Sequence, residues 1–442
     1  MRPTAKHYQT IPKIRPESGM VTGSTGSGFA ELRQHWRMLP PCMLGIMLCS
    51  THGYSLGVMI PVIEREFGWP RAEIAMGMMI IAMIALVAAP LVGMATDRFG
   101  PRRIALVGIV AFSAALASLS AATSLVSWWL LWVLVGVGNM LILPTVWTKA
   151  INFYFDANRG IALALALCGT GVAAACVPFL TNTLVEHFGW RHAYIGLGLI
   201  GAAVTFLPAW FLFHVPSDTG QARPGASAPP RQAQGVSARE GFAQPRFLKL
   251  AGATLLFSVT ICALTTNLVP VLLSRDMSAA TAAGIAGLLG IGSITGRLVG
   301  GFLLDRFDAA RVAAASVVMP VVTVLLLLAF PGPGVAALAC LILGLAVGTE
   351  VDCCAYLAAR HFGLRAFGTL FGTMNGLMLF GNGIAPVLAN YCYDVTRSYD
   401  IVLWVQIPAC LGTAILFLVL GPYPDLDSEE PLQAPLADPA TA

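Results

Sequence analysis

The chain has 442 residues, 57% of them hydrophobic and only 11% charged, with a formal net charge of +4. A soluble domain carries roughly one quarter charged residues. The composition therefore excludes an ordinary water-soluble protein and points to a chain that crosses a bilayer repeatedly. The small positive balance gives no reason to expect a nucleic-acid partner.

Residues 1–37 are polar and include Gly23-Ser24-Thr25-Gly26-Ser27-Gly28, which reads as a disordered cytoplasmic tail. No short apolar segment with a cleavage site opens the chain, so no secretory signal peptide is expected. Apolar runs follow at 38–63, 73–96, 103–122, 126–150, 160–185, 192–214, 247–273, 279–304, 309–330, 334–356, 367–392 and 401–420. About 20 residues cross the hydrocarbon core, and lipid offers no partner for unpaired backbone groups, so each run is expected as a helix. The expected fold is an all-α membrane protein with twelve transmembrane helices in two six-helix bundles, 38–214 and 247–421. Residues 215–246, with Pro216, Pro224, Pro229, Pro230 and Pro245, read as a flexible cytoplasmic linker between them. Residues 422–442 form an acidic cytoplasmic tail.

Lysine and arginine set the orientation, because cytoplasmic segments collect them. With the N-terminus inside, 20 of the 26 fall in cytoplasmic segments and 5 in outer loops: Arg65, Arg71, Arg191, Arg275 and Arg397. The remaining one, Arg297, lies within the eighth span. The chain is expected to be multi-pass in the cell inner (cytoplasmic) membrane, with both termini in the cytoplasm. The ten cysteines all sit in apolar stretches with no C-x-x-C, and read as small buried hydrophobes, not disulfides or metal ligands. No metal and no cofactor are expected. There is no phosphate loop and no catalytic constellation, so neither ATP-driven transport nor an enzyme is expected.

The second span ends in Gly93-Met-Ala-Thr-Asp97-Arg98-Phe99-Gly100-Pro101-Arg102-Arg103. Gly100-Pro101 forces a turn, and Asp97 can accept from the next helix start or from an Arg. A degenerate copy, Gly301-Phe-Leu-Leu-Asp305-Arg306-Phe307-Asp308, ends the eighth span, its Asp 208 residues after Asp97. Arg159-Gly160 and Phe367-Gly368 repeat the same offset. Two copies at matching places in two halves mark a duplicated unit. The pattern resembles the signature loops between helices 2 and 3, and 8 and 9, of the major facilitator superfamily. That resemblance implies a cytoplasmic gate built from Asp97, Arg98, Arg102, Asp305 and Arg306, and transport by alternating access.

An ionisable group at membrane depth costs ~2.5–3.5 kcal/mol or more, so it should face a cavity or a partner. Arg297 stands eight residues before Asp305, about 12 Å from the cytoplasmic end at 1.5 Å per residue. A guanidinium stays charged and matches a carboxylate with paired donors. Arg297 is the first candidate for substrate binding, with a structural pairing to Glu350 or Asp352 of the tenth span as its alternative. Those two acids diverge on the helix. They read as gate or coupling groups, one of them able to carry a proton. His52 in the first span is a further coupling candidate. Tyr54, Asn139, Asn267 and Asn375 are expected to line a midplane site, although hydrogen bonding between helices would also account for such residues.

Three stretches are similar to the monocarboxylate-porter and oxalate–formate-antiporter branch: Phe67-Gly68-Trp69-Pro70-Arg71-Ala72-Glu73-Ile74, Gly189-Trp190-Arg191-His192-Ala193-Tyr194, and Gly348-Thr-Glu350-Val-Asp352 with Tyr356-Leu357 and Phe362-Gly363. The branch implies proton-coupled or exchange transport of small organic anions, with an essential Arg on helix 8 that Arg297 matches. The sequence departs from it at Ser293, where animal carriers have an acid, and at Tyr54, where they have a Lys. The antiporter's second cation on helix 11 is also missing. One cation suits a monoanion better than a dianion. The expected function is secondary active transport of a small monocarboxylate with protons, by a monomer. Organic-anion exchange and efflux of a hydrophobic compound stay open as alternatives.

Overall fold

The structure is a computed structural model and describes residues 31–155, 159–214, 235–363 and 365–424. The expected N-terminal tail up to residue 30, linker residues 215–234 and tail residues 425–442 lie outside the described residues. So do the side chains of Ala89, Pro90 and Asp97. The described chain runs as α1 (Leu39–Phe67), α2 (Arg71–Phe99), α3 (Pro101–Ser118), α4 (Leu125–Met140), α5 (Pro144–Tyr154), α6 (Arg159–Leu167) and α7 (Gly169–Leu212) in the first half. The second half runs as α8 (Ala238–Ala243), α9 (Pro245–Thr266), α10 (Leu268–Leu273), α11 (Ala279–Arg306), α12 (Ala309–Ala329), α13 (Pro333–Phe362), α14 (Phe367–Thr396) and α15 (Asp400–Leu418).

Among the described residues, ten helical segments are long and apolar enough to cross a membrane. One of them, 159–212, crosses twice. A straight α7 of 44 residues would reach about 66 Å, against a hydrocarbon core of about 30 Å. Gly189, at φ 76° and ψ 164°, divides it into the end of the fifth span and the sixth span. That conformation is open to glycine and strained for other residues. The 30-residue α14, richer in Gly and Asn, is the eleventh span and completes twelve crossings.

Two spans are interrupted where proline removes a backbone donor. Pro144 has no N–H for the Met140 carbonyl, and the fourth span divides into α4 and α5. The Trp147 indole N–H donates to the Ile142 carbonyl at 3.0 Å inside this break. Pro270 has no N–H for the Thr266 carbonyl, and the seventh span divides at Asn267 into α9 and α10. The last twelve residues of the expected linker are ordered. Ser237 caps α8, accepting from the Glu240 N–H at 3.4 Å, and Gly235 bridges to Gly363.

Buried side chains form two cores. One, around Phe112, Trp128, Trp132, Trp147 and Tyr194, belongs to the first half. The other, around Phe257, Phe362 and Phe417, belongs to the second, and takes Val58 and Ala174 from the first. The halves meet where α2 packs along α14 and α7 along α11. Small residues bring α11 and α13 into backbone contact. A Cβ on Gly348 would overlap the Ser293 carbonyl oxygen, and one on Gly296 the Leu345 carbonyl oxygen. Small-residue packing of this kind lets helices approach closely in lipid, and it sets the distance between the side chains that α11 and α13 present to the centre. The face carrying the loops after the first and eleventh spans, expected outside from the cation count, is called the outer face below.

Candidate functional site

A cavity of about 330 Å³ lies between the halves. Its walls are apolar over most of their area, with Met78, Ile81, Met140, Leu143, Ile261 and Leu379 among them. Polar groups gather at two poles. On the second-half side stand Arg297 from α11 and Glu350 from α13, with Tyr54 reaching across from α1. On the first-half side stand His52 from α1 and Asn139 from the last turn of α4.

Arg297 is only 6% exposed. Its Nη1 donates to Asp352 Oδ1 at 3.2 Å and lies 3.5 Å from Oδ2. Its Nε has no hydrogen-bond partner among the described residues. Glu350, also 6% exposed, has an unpartnered Oε1 in the same wall. The divergence of Glu350 and Asp352 is therefore realised in a specific way. Asp352 holds the guanidinium from the side, while Glu350 faces the cavity and makes no ion pair with Arg297 among the described residues. A buried donor or acceptor left unpaired costs about 1–3 kcal/mol, more when charged. Both residues line the cavity, and each keeps one buried polar atom without a partner among the described residues, so the wall holds unspent hydrogen-bonding capacity for a polar ligand.

At the opposite pole the Asn139 amide donates to the Cys49 carbonyl at 2.9 Å and lies 3.5 Å from His52 Nδ1. The His52 ring stands edge-on to Phe112 and Trp132, with centroids 6.1 and 6.3 Å away. Thr170, Thr265, Thr266 and Asn382 line the cavity as well. They were not singled out from the sequence, where mid-span Ser, Thr and Asn are too common to separate.

Asn375 and Asn267 stand elsewhere. Asn375 lines a second cavity of about 660 Å³ between α2 and α14, which shares Ala85 and Leu379 with the first and continues it away from the outer face. Asn267 sits at the break in the seventh span, its amide donating to the Ala263 carbonyl at 3.0 Å and its carbonyl oxygen accepting from Asn390 at 2.8 Å. Of the signature-loop residues, Arg102 donates to the Trp210 carbonyl at 2.8 Å, closing the end of the sixth span within its own half. Arg98 lies over the Phe99 ring at 5.3 Å and Arg306 over Phe302 at 4.3 Å. Asp305 is exposed. The Asp97 side chain lies outside the described residues.

The sequence profile of the Major Facilitator Superfamily matches residues 42–378, and the chain belongs to that family. It is 24% identical over 434 residues to the 4-hydroxybenzoate transporter PcaK of Acinetobacter baylyi, covering 87% of this chain and 91% of that one. It is 25% identical to a gallate transporter of Pseudomonas putida, over 63% of this chain and 68% of that one. It is 28% identical to human monocarboxylate transporter 11, over 57% of this chain and 52% of that one. A crystal structure of a bacterial homolog of the human lysosomal transporter Spinster, in an inward-facing and occupied conformation, shares the fold with a TM-score of 0.64 at 16% identity, over 88% of this chain and 94% of that one. The chain is thus a multi-pass membrane transporter, a non-enzymatic transport protein.

Proposed function

We propose that this major facilitator carries an organic monocarboxylate with an apolar body, together with a proton, across the cytoplasmic membrane by alternating access. The observation that carries the reading is the pairing of an unpartnered Arg297 Nε with an unpartnered Glu350 Oε1 in one buried wall. A ligand carboxylate takes the free face of the guanidinium, while Asp352 keeps the other. The apolar walls accommodate a ring or short chain, and His52 with Asn139 offers donors and acceptors to a hydroxyl at its far end. The relatives named for 4-hydroxybenzoate and gallate support a substrate of this shape.

Charge balance supports proton coupling. With Glu350 and Asp352 both ionised, the pole around Arg297 already carries one excess negative charge, and an arriving monoanion makes it two. Like charges ~5 Å apart repel by about 3 kcal/mol at an effective dielectric of ~20. A proton on Glu350 removes that repulsion, so proton and anion bind together. The cation bias supports both termini in the cytoplasm, and the duplicated halves enclosing one site support a monomeric carrier.

The test is uptake of labelled 4-hydroxybenzoate, benzoate and lactate into proteoliposomes, with and without an inward proton gradient. Gradient-stimulated uptake of one acid, lost in Arg297→Ala, is the expected result. If well-folded protein moves none of these acids, the reading fails and efflux of a hydrophobic compound replaces it.

A further inference from the structure

At the outer face, the ends of the α1–α2 and α14–α15 hairpins are joined across the two halves by a continuous polar network. Both carboxylate oxygens of Asp394 accept backbone N–H groups at the start of α2, from Arg71 at 3.0 Å and Ala72 at 2.9 Å. A carboxylate there meets unpaired donors and the positive end of the helix dipole. The Arg71 side chain is buried between the halves. Its Nε donates to Glu64 at 2.7 Å, its Nη1 to the Tyr399 hydroxyl at 3.0 Å, and its guanidinium stacks 3.8 Å from the Tyr393 ring centre. Arg397 approaches Glu64 to 3.6 Å from the other half. Two acids and two arginines balance within the cluster, so closing it strands no net charge.

The network does not stop at the surface. Burial raises the Tyr399 phenol above its ordinary range, against the opposing pull of Arg71. The phenol stays neutral and donates to Asn390 Oδ1 at 2.9 Å. The Asn390 amide in turn donates to Asn267 at 2.8 Å. Asn267 is the residue at which the seventh span breaks, next to Thr265 and Thr266 in the wall of the central cavity. The Thr266 carbonyl, released from helix bonding by Pro270, lies so close to Gly57 of α1 that a Cβ there would overlap it.

The geometry points to an outer latch, made of Arg71, Asp394, Tyr399 and Glu64, that holds the central cavity closed on the outer face and is tied through Asn390 and Asn267 to the broken seventh span beside the bound substrate. This rests on the transport reading for its purpose, but the latch itself is a statement about conformation. For the cavity to open outward, the α1–α2 and α14–α15 ends must part, and each contact above must break. Movement at the cavity wall around Thr265 and Thr266 reaches the latch through the two asparagines. The interrupted turn at Asn267 is where the seventh span can bend to transmit it.

The test uses the full chain with exposed Cys176 and half-buried Cys392 replaced by serine, the other eight cysteines being buried. Spin labels are placed at Thr123→Cys, on an exposed outer loop of the first half, and at Gly334→Cys, exposed in the first turn of α13 at the outer end of the second half, and the distance between them is measured by electron–electron resonance. The parent is expected to show one short distance. Arg71→Ala and the isosteric Asp394→Asn are each expected to add a longer distance, with the open fraction raised at least tenfold. Arg275→Ala breaks the exposed pair with Asp400 within the second half and is expected to leave the distribution unchanged. Asn267→Ala is expected to keep the parent distribution without ligand and to lose any shift that 4-hydroxybenzoate produces in the parent. If Arg71→Ala and Asp394→Asn, both monodisperse, keep the single short distance, the latch is overturned. If the distances shift while the parent moves no carboxylate, the latch stands and the substrate reading falls.

Discussion

Replacing Glu350 by Gln tests the coupling argument most directly. The side chain keeps its size and one acceptor, but its charge is gone at every pH. Glu350 and Arg297 share one wall of the central cavity, and if a ligand carboxylate on the Arg297 guanidinium is taken to lie ~5 Å from Glu350, like charges repel by about 3 kcal/mol. That is more than a hundredfold in affinity. In the parent, anion affinity therefore rises as pH falls, because protonation relieves the repulsion. In Glu350→Gln the relief is permanent. Affinity at pH 7.5 is expected to rise toward the parent's value at acid pH, by up to ~100-fold, and to become flat with pH. Exchange of labelled for unlabelled 4-hydroxybenzoate across the membrane should persist, since it needs no net proton movement. Accumulation driven by a proton gradient should vanish. The assay is paired counterflow and gradient-driven uptake in the same proteoliposomes. Gradient-driven accumulation that survives in Glu350→Gln with the parent's pH profile would refute the reasoning, and would move the coupling proton to another group.

Arg297→Lys keeps the charge but loses the planar fork that binds Asp352 and a ligand at once; a ~10–100-fold rise in KM for 4-hydroxybenzoate uptake is expected, and complete loss of uptake in Arg297→Ala. Asn139→Leu removes one partner at the far pole, and the ratio of uptake of 4-hydroxybenzoate to benzoate is expected to fall by about tenfold, the worth of a hydrogen bond of ~1.4 kcal/mol. Gly348→Ala places a Cβ against the Ser293 carbonyl oxygen and the Arg297 backbone nitrogen. An overpacked contact costs typically ~1–3 kcal/mol, so a lower melting temperature in detergent is expected. Gly301→Ala, where a Cβ would meet nothing within 4 Å, should melt like the parent.

The reach of the sequence follows from what lipid penalises. A charge at membrane depth is costly, so Arg297, Glu350 and Asp352 stood out among the apolar spans, and the structure brings all three together. Spans were legible because their lengths match the bilayer. The rotation of each span was not legible, because helices apolar on every side carry no stripe that says which face meets the cavity. Nothing in the sequence therefore says that Asn139 lines the site while Asn267, equally polar, is turned toward Asn390. The breaks at Pro144 and Pro270 had a signal in the prolines themselves, but proline also sits inside unbroken α1 at Pro61 and α14 at Pro386. Arg71 was hidden for a different reason. By sequence it is one of five outer-loop cations, and nothing local shows that Asp394, 323 residues on, closes over its helix.

The two ends of the molecule place different demands on their contacts. A substrate can move the equilibrium between outward and inward states only by its differential affinity for them, and reversing 1:99 takes ~5.5 kcal/mol. A latch much stronger than that would trap the carrier closed. The outer network respects this limit through its composition. Its Arg397 contact is largely exposed and Glu64 is partly so, which holds each such pair to at most about 1 kcal/mol. The stronger contacts are few: two backbone N–H bonds to Asp394 and the buried face of Arg71. In the signature loop, Arg102 bonds within its own half and so adds nothing to the barrier between states. A latch that is buried enough to exclude the medium, yet rests on a handful of separable contacts, stays within what the differential binding of a ligand can open.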